Sequence, residues 1–142
     1  MGKENKRQNQ LSPWPQRKDG LWGFIDEASG NEVIPFIYQY AEPFDDGLAR
    51  VQKDGLYGWV DETGKEVVPC IYSYADSFSN GLALVKKEDL FGVIDKTGKV
   101  VVPFIYQDAE GDFFFNDLIV VKKDDLYGVI DITGKIVVPF VC

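Results

Sequence analysis

The sequence predicts an all-β protein made of tandem three-stranded β-meander repeats of about 35 residues, stacked in an open, solenoid-like array. Three observations predict it. A Val/Ile-Pro step recurs at a nearly constant interval, and an aromatic-Gly pair stands upstream of every step. No stretch sustains the 3.6-residue apolar period of a helix without Pro or Gly interrupting it.

The steps are Val33-Ile34-Pro35, Val67-Val68-Pro69, Val101-Val102-Pro103 and Val137-Val138-Pro139, spaced by 34, 34 and 36 residues. The aromatic-Gly pairs open the first strand of each hairpin: Trp22-Gly23, Tyr57-Gly58, Phe91-Gly92 and Tyr127-Gly128. Two apolar residues follow each pair, then Asp26, Asp61, Asp95 or Asp131. The turn after that Asp reads Glu-Thr-Gly-Lys, Lys-Thr-Gly-Lys or Ile-Thr-Gly-Lys in the last three units, and is one residue longer in the first. Asp accepts from backbone N–H groups ahead of it, and Gly supplies the positive φ such a loop requires. The β-branched run that comes next is the second strand. Its Pro cannot donate to a ladder, which predicts that the strand ends there. A polar and aromatic connector then leads to a third strand, Leu48 to Lys53, Leu82 to Lys87 or Leu118 to Lys123, which turns back through Asp54-Gly55 or an acidic pair. A lone meander of short strands buries too little surface to be stable, so successive units must share a core. The atypical end units read as caps of an open array.

In this order of elements the chain resembles the bacterial WG-repeat proteins, named for the Trp-Gly pair that stands here as Trp22-Gly23. The resemblance covers residues 19–142, preceded by a basic, polar tail at 1–18 that partly forms a capping strand. Trp is replaced by Tyr57, Phe91 and Tyr127, which keeps the aromatic wedge. The resemblance implies an interaction repeat and brings no catalytic residues with it.

Composition narrows the function further. Apolar residues make up 45% and charged residues 27% of the 142, as in globular proteins. The net charge is −8, and the tail holds a surplus of +4, so the remaining 124 residues carry −12. Such a body repels a phosphate backbone, and no nucleic-acid partner is expected for it. No apolar run approaches the roughly 20 residues of a membrane span, and the basic N-terminus lacks the apolar stretch of a secretion signal, so the expected location is cytoplasmic. Histidine is absent, which removes the usual general base and the commonest metal ligand. No phosphate-binding Gly motif occurs, two cysteines make no metal spacing, and the acidic clusters lack calcium-loop spacing. No cofactor is expected. The recurrent Asp serves the turn in every unit and is not expected to be catalytic.

The break in the repeat is the candidate site. Between Ala109 and Leu118 the connector is two residues longer than between Ala75 and Leu82, and Asp117 replaces the turn glycines Gly47 and Gly81. It carries Asp112, Phe113, Phe114, Phe115 and Asp117, and aromatics flanked by acids form protein-binding hot spots. Trp14, held extended between Pro13 and Pro15, is the second candidate contact. The expected function is a non-catalytic protein-interaction or scaffold module, as a small subunit of a larger assembly. The alternatives are a carbohydrate or cell-envelope ligand binder using Tyr40 and Tyr74 as stacking platforms, and a hydrolase with paired carboxylates. Cys70 stands where other units have Phe and reads as a small apolar residue. Tyr38, Tyr72 and Tyr106 read as packing between units.

Overall fold

A computed structural model describes residues 12–111 and 117–141; among these every regular element is a β-strand, and the strands form four antiparallel sheets. The first sheet has three strands, β1 (Trp14–Lys18), β2 (Leu21–Ile25) and β3 (Glu32–Tyr38). The second holds β4 (Tyr40–Ala41), β5 (Leu48–Lys53), β6 (Leu56–Asp61) and β7 (Glu66–Tyr72). The third repeats it with β8 (Tyr74–Ala75), β9 (Leu82–Lys87), β10 (Leu90–Asp95) and β11 (Val100–Tyr106). The fourth holds β12 (Asp108–Gly111), β13 (Leu118–Lys123), β14 (Leu126–Asp131) and β15 (Ile136–Val141). Each is a meander, as the periodicity predicts. The connector adds what the sequence did not announce, a short fourth strand on the edge of the next sheet. It is started by the backbone N–H groups of Gln39, Ser73 and Gln107, which donate to the carbonyls of Gln52, Lys86 and Lys122.

Two turn types close each unit. The turn between β5 and β6 places Asp54 at φ 55° and Gly55 at φ 80°, and Glu88-Asp89 and Asp124-Asp125 adopt the same left-handed pair. Positive φ at both central residues matches the right-handed twist of the flanking strands. The second turn is organised by the recurrent Asp. One Asp61 carboxylate oxygen accepts from the Thr63 hydroxyl at 2.6 Å, the Thr63 N–H at 2.9 Å and the Lys65 N–H at 3.1 Å, and Asp95 and Asp131 repeat the arrangement. The Thr hydroxyl above all, then the backbone N–H groups, hold these three carboxyls below the ordinary carboxylate range.

The second strand does not end at proline. β3, β7, β11 and β15 run through Pro35, Pro69, Pro103 and Pro139, because the proline lies in a bulge on an edge strand. In β6 and β7, Trp59 pairs with Val68 and Tyr57 with Tyr72, so two residues on one strand oppose four on the other. The extra length folds over Gly58. A Cβ there would lie 2.5 Å from the Val68 carbonyl oxygen and 2.7 Å from the Pro69 carbonyl carbon; at Gly23 it would meet the Ile34 oxygen and the Phe36 Cα, and at Gly92 the Val102 oxygen and the Phe104 ring. The Gly of each aromatic-Gly pair is thus a close-approach residue.

The four sheets stack face to face. Each interior cluster joins the bulky face of one sheet to the small, β-branched face of the next. Phe24, Ile34 and Tyr38 meet Ala49, Val51 and Val60; Leu48, Trp59, Val68 and Tyr72 meet Ala83, Val85 and Ile94. Leu84, Val93, Val102 and Tyr106 then meet Ile119, Val121 and Ile130. The connector phenylalanines close the sides, with Phe44 5.0 Å from Phe24 and Phe78 4.6 Å from Trp59 between ring centroids. The turn glycines, at φ near 90°, lie over the neighbouring core: Gly64 over Ile34, Gly98 over Val68 and Gly134 over Val102.

These contacts set two expected outcomes. Gly58→Ala forces the bulge apart and should cost about 1–3 kcal/mol in urea unfolding. Gly128→Ala should cost less, because a Cβ there meets Val138 oxygen at 2.9 Å and otherwise only the Phe140 ring; equal costs would mean the close approach is not what requires glycine. Because the turn carboxyls have folded pKa values below the unfolded value of about 3.9, their contribution is complete above that pH and is lost as pH falls through the folded value. Thr97→Val should therefore lower stability near pH 7, by progressively less as pH falls below about 3.9. A penalty that persists undiminished in acid would count against the hydroxyl as its source.

Candidate functional site

The stack ends in two unlike faces. Ile34, Val68 and Val102 are 0%, 0% and 1% exposed beneath the turn of the following unit, whereas Val138, at the same repeat position, is 45% exposed. Val120 is likewise 45% exposed where Leu84 is 5%. With Leu118 and Tyr127 exposed and Val129 half-buried beside them, the outer side of the fourth sheet carries the same bulky apolar set that the interior interfaces cover. The cross-strand pairs Leu118–Asp131, Val120–Val129 and Lys122–Tyr127 define this face, and the Lys122 ammonium lies over the Tyr127 ring at 5.6 Å. The expectation that both end units are caps therefore fails at the C-terminal end. At the other end it holds better. In the first sheet Trp14, Gln16 and Ile25 occupy the register of Ala49, Val51 and Val60, so a glutamine replaces the β-branched residue that interior units bury.

A second feature breaks the repeat inside the stack. Arg50 occupies the position of Leu84 and Val120. Its guanidinium donates to the Glu42 carboxylate at 2.6 Å and to the Ala75 carbonyl, and lies over the Tyr57 ring at 5.4 Å. Its Nε is buried and, among the described residues, has no hydrogen-bond partner. Arg50 forms one wall of a groove of about 270 Å³ between the two connectors, with Tyr40, Glu42, Asp45, Trp59 and Phe78. Tyr40 is 40% exposed at this groove, edge-on to Trp22 at 6.2 Å, and donates its hydroxyl to Glu42 at 3.2 Å. Tyr74 is as exposed but stands edge-on to Phe91 and does not line the groove. An arginine at an otherwise apolar repeat position was the available signal for this site, and sequence reasoning passed over it.

Of the predicted contact residues, Asp112, Phe113, Phe114 and Phe115 lie outside the described residues. Asp117 is exposed and keeps, at φ 55°, the left-handed conformation of Gly47 and Gly81. Trp14 is half-exposed on β1, opposite Ile25. Two sheets separate Trp14 from Asp117, so they do not form one site.

The other readings of single residues resolve into packing. Tyr72 stacks on Phe104 at 5.9 Å and Tyr106 on Phe140 at 6.1 Å, each across neighbouring sheets. Cys70 takes the place of that phenylalanine beside Tyr38, and burial first, then the Glu66 charge, pushes its thiol up to about 11. Tyr38 donates to Glu66 at 3.0 Å, which also accepts from Lys53 at 2.9 Å. Asp46 pairs with Lys96 at 2.7 Å. No helix among the described residues is long and apolar enough to cross a membrane.

Comparison with known proteins agrees with this architecture. The chain resembles the crystal structure of Hsv2 from Kluyvelomyces marxianus, with a TM-score of 0.51 and 12% identity over 83% of this chain and 42% of that one. At that identity the likeness concerns the fold alone, and this chain spans less than half of the other. A search of curated proteins returns no match. The model of the WG containing repeat matches at residues 22–57, 57–91, 91–127 and 127–142, each match beginning at the aromatic residue of an aromatic-Gly pair. The chain is a member of the WG-containing repeat family.

Proposed function

We propose that this chain is a non-catalytic protein-interaction module that docks through the outer face of its fourth sheet. The observation that carries the reading is the exposure of Val138 and Val120 at positions whose counterparts are sealed inside the stack. A contiguous apolar sheet face left in water costs free energy in proportion to its area, and covering it is the available gain. The recurrent aspartates support the absence of catalysis, since their carboxylates are already engaged by turn hydrogen bonds. A tagged chain should capture a protein from extracts of its source, native copies of itself included, and a Val120→Asp/Val138→Asp variant should lose it. Capture unaffected by the double substitution would remove this face from the function.

A second reading, a carbohydrate or cell-envelope ligand binder, draws on the groove. Exposed Tyr40 beside Arg50, Glu42 and Asp45 combines a ring for stacking with charged groups that bond hydroxyls. Arg50→Leu installs the residue type of the next unit but leaves the Glu42 carboxylate and the Ala75 carbonyl without their donor, so it should lower stability in urea unfolding by about 1 kcal/mol. If the groove binds glycans, neutral oligosaccharides should raise the melting temperature of the parent and not of Arg50→Leu or Tyr40→Ala. Identical shifts in all three proteins would exclude the groove.

A further inference from the structure

The groove beside Arg50 lies inside the stack, and its charges select what it can hold. Arg50 is the cation on its wall, and that charge is already answered. The guanidinium donates to Glu42 at 2.6 Å and to the Ala75 carbonyl, and it covers the Tyr57 ring. By reaching Glu42 after β4 and Ala75 in β8, it ties both walls of the groove to β5. The acceptors are in surplus. The Tyr40 hydroxyl and Arg50 both donate to Glu42 Oε2, so Oε1 accepts from no described residue. Asp45 is exposed on the same groove, and its carboxylate has no hydrogen bond or ion pair among the described residues, whereas Asp46 is paired with Lys96. Glu42 and Asp45 against Arg50 give the groove a net charge of −1, within a body of −12. Its volume of about 270 Å³ falls below the roughly 300–1,000 Å³ of pockets that enclose drug-sized molecules, which leaves room for one long side chain.

We propose that this groove takes one basic side chain, arginine or lysine, from a segment of another protein. The site is separate from the fourth-sheet face and adds a contact to the docking assigned there. Closing the groove with a neutral ligand would take the Asp45 carboxylate out of water with nothing to balance it, a cost that a cation removes. An anion would meet two carboxylates and a guanidinium whose charge is already countered. A basic side chain brings several donors on one charged head, which suits Asp45 and the vacant Glu42 oxygen, and its alkyl stem suits the apolar wall of Trp59 and Phe78. Tyr40 supplies the aromatic partner. Elsewhere on the surface Phe91 and Tyr127 each lie under a lysine, at 5.3 and 5.6 Å, whereas Tyr40, 40% exposed, has no cation over its ring among the described residues. The acidic body draws a basic segment toward the groove before contact is made.

Titration of the isotope-labelled full chain with capped pentapeptides, Gly-Ser-Xaa-Ser-Gly, tests this by nuclear magnetic resonance. With arginine or lysine at the centre, the Trp59 indole and the Tyr40, Asp45 and Ser77 amides should shift as the peptide reaches about millimolar concentration. The citrulline peptide keeps the shape of arginine without its charge and should bind at least about fivefold more weakly. Asp45→Asn should weaken the arginine peptide by roughly two- to fivefold. Asp54→Asn removes the same charge from the exposed β5–β6 turn and should leave binding unchanged, which separates the groove from general attraction to an acidic body. Groove signals that stay unmoved, equal binding of the citrulline peptide, or equal weakening by the two aspartate substitutions overturns the proposal. Shifts produced by neutral oligosaccharides and not by the basic peptides overturn it in favour of the glycan reading. Val120→Asp/Val138→Asp should bind the peptide as the parent does, so the groove and the fourth-sheet face stand or fall separately.

Discussion

The turn of one unit lying over the β-branched residues of the unit before it is the contact on which the rest of the structure depends. A three- or four-stranded meander with short strands has two faces and can bury neither alone. Here the bulky face, built from Leu48, Trp59, Val68 and Tyr72, is closed by the small face of Ala83, Val85 and Ile94. The turn can descend far enough only because Gly98 adopts φ 89° without a side chain, within ordinary contact distance of Val68. The bulge over Gly92 and the carboxylate clamp of Asp95 fix the strand ends from which that turn projects. Turn chemistry, glycine spacing and core therefore describe one device repeated along the chain, with stability set by neighbouring pairs of units.

The sequence made the repeating part of this device legible because every element recurs at the same offset. Three copies of Asp-x-Thr-Gly-Lys cannot be coincidence, and each of those residues has a turn role that can be stated in advance. What recurs without a strong propensity was missed. Tyr40-Ala41 and Tyr74-Ala75 are too short to read as strands, and they pair only because the preceding residue, Gln39 or Ser73, anchors them to the next sheet. Pro was over-read for a related reason. It does forbid one ladder bond, but a bulge at an edge needs no donor there, so the strand passes through.

The site residues divide along a different line. The recurring tyrosines and Cys70 were readable as packing because their positions repeat, and their contacts follow the repeat. Arg50 stood in plain view as a cation in an apolar column, yet its consequence depends on which side of the strand faces the next connector, and periodicity alone does not give that. The acidic excess was also legible as a total but not as a distribution. Asp61, Asp95 and Asp131 spend their charge on turn N–H groups, Glu66 on Tyr38 and Lys53, and Glu42 on Arg50.

The end faces could not be read from residue types at all, since Val138 and Val102 sit in the same local sequence, Val-Val-Pro-Phe. Their difference lies in the neighbour each has in space. Val102 lies under Gly134, while no described residue seals Val138. In a stack whose units satisfy one another pairwise, a terminal sheet must either change its residues or find a cover. The first sheet has taken the former course at Gln16, which replaces a buried valine by an amide that water can solvate. The fourth has kept Leu118, Val120, Val129 and Val138, along with a lysine held over a tyrosine at the rim. Retaining an interior face at one end while altering it at the other makes the array polar in its interactions as well as in its connectivity.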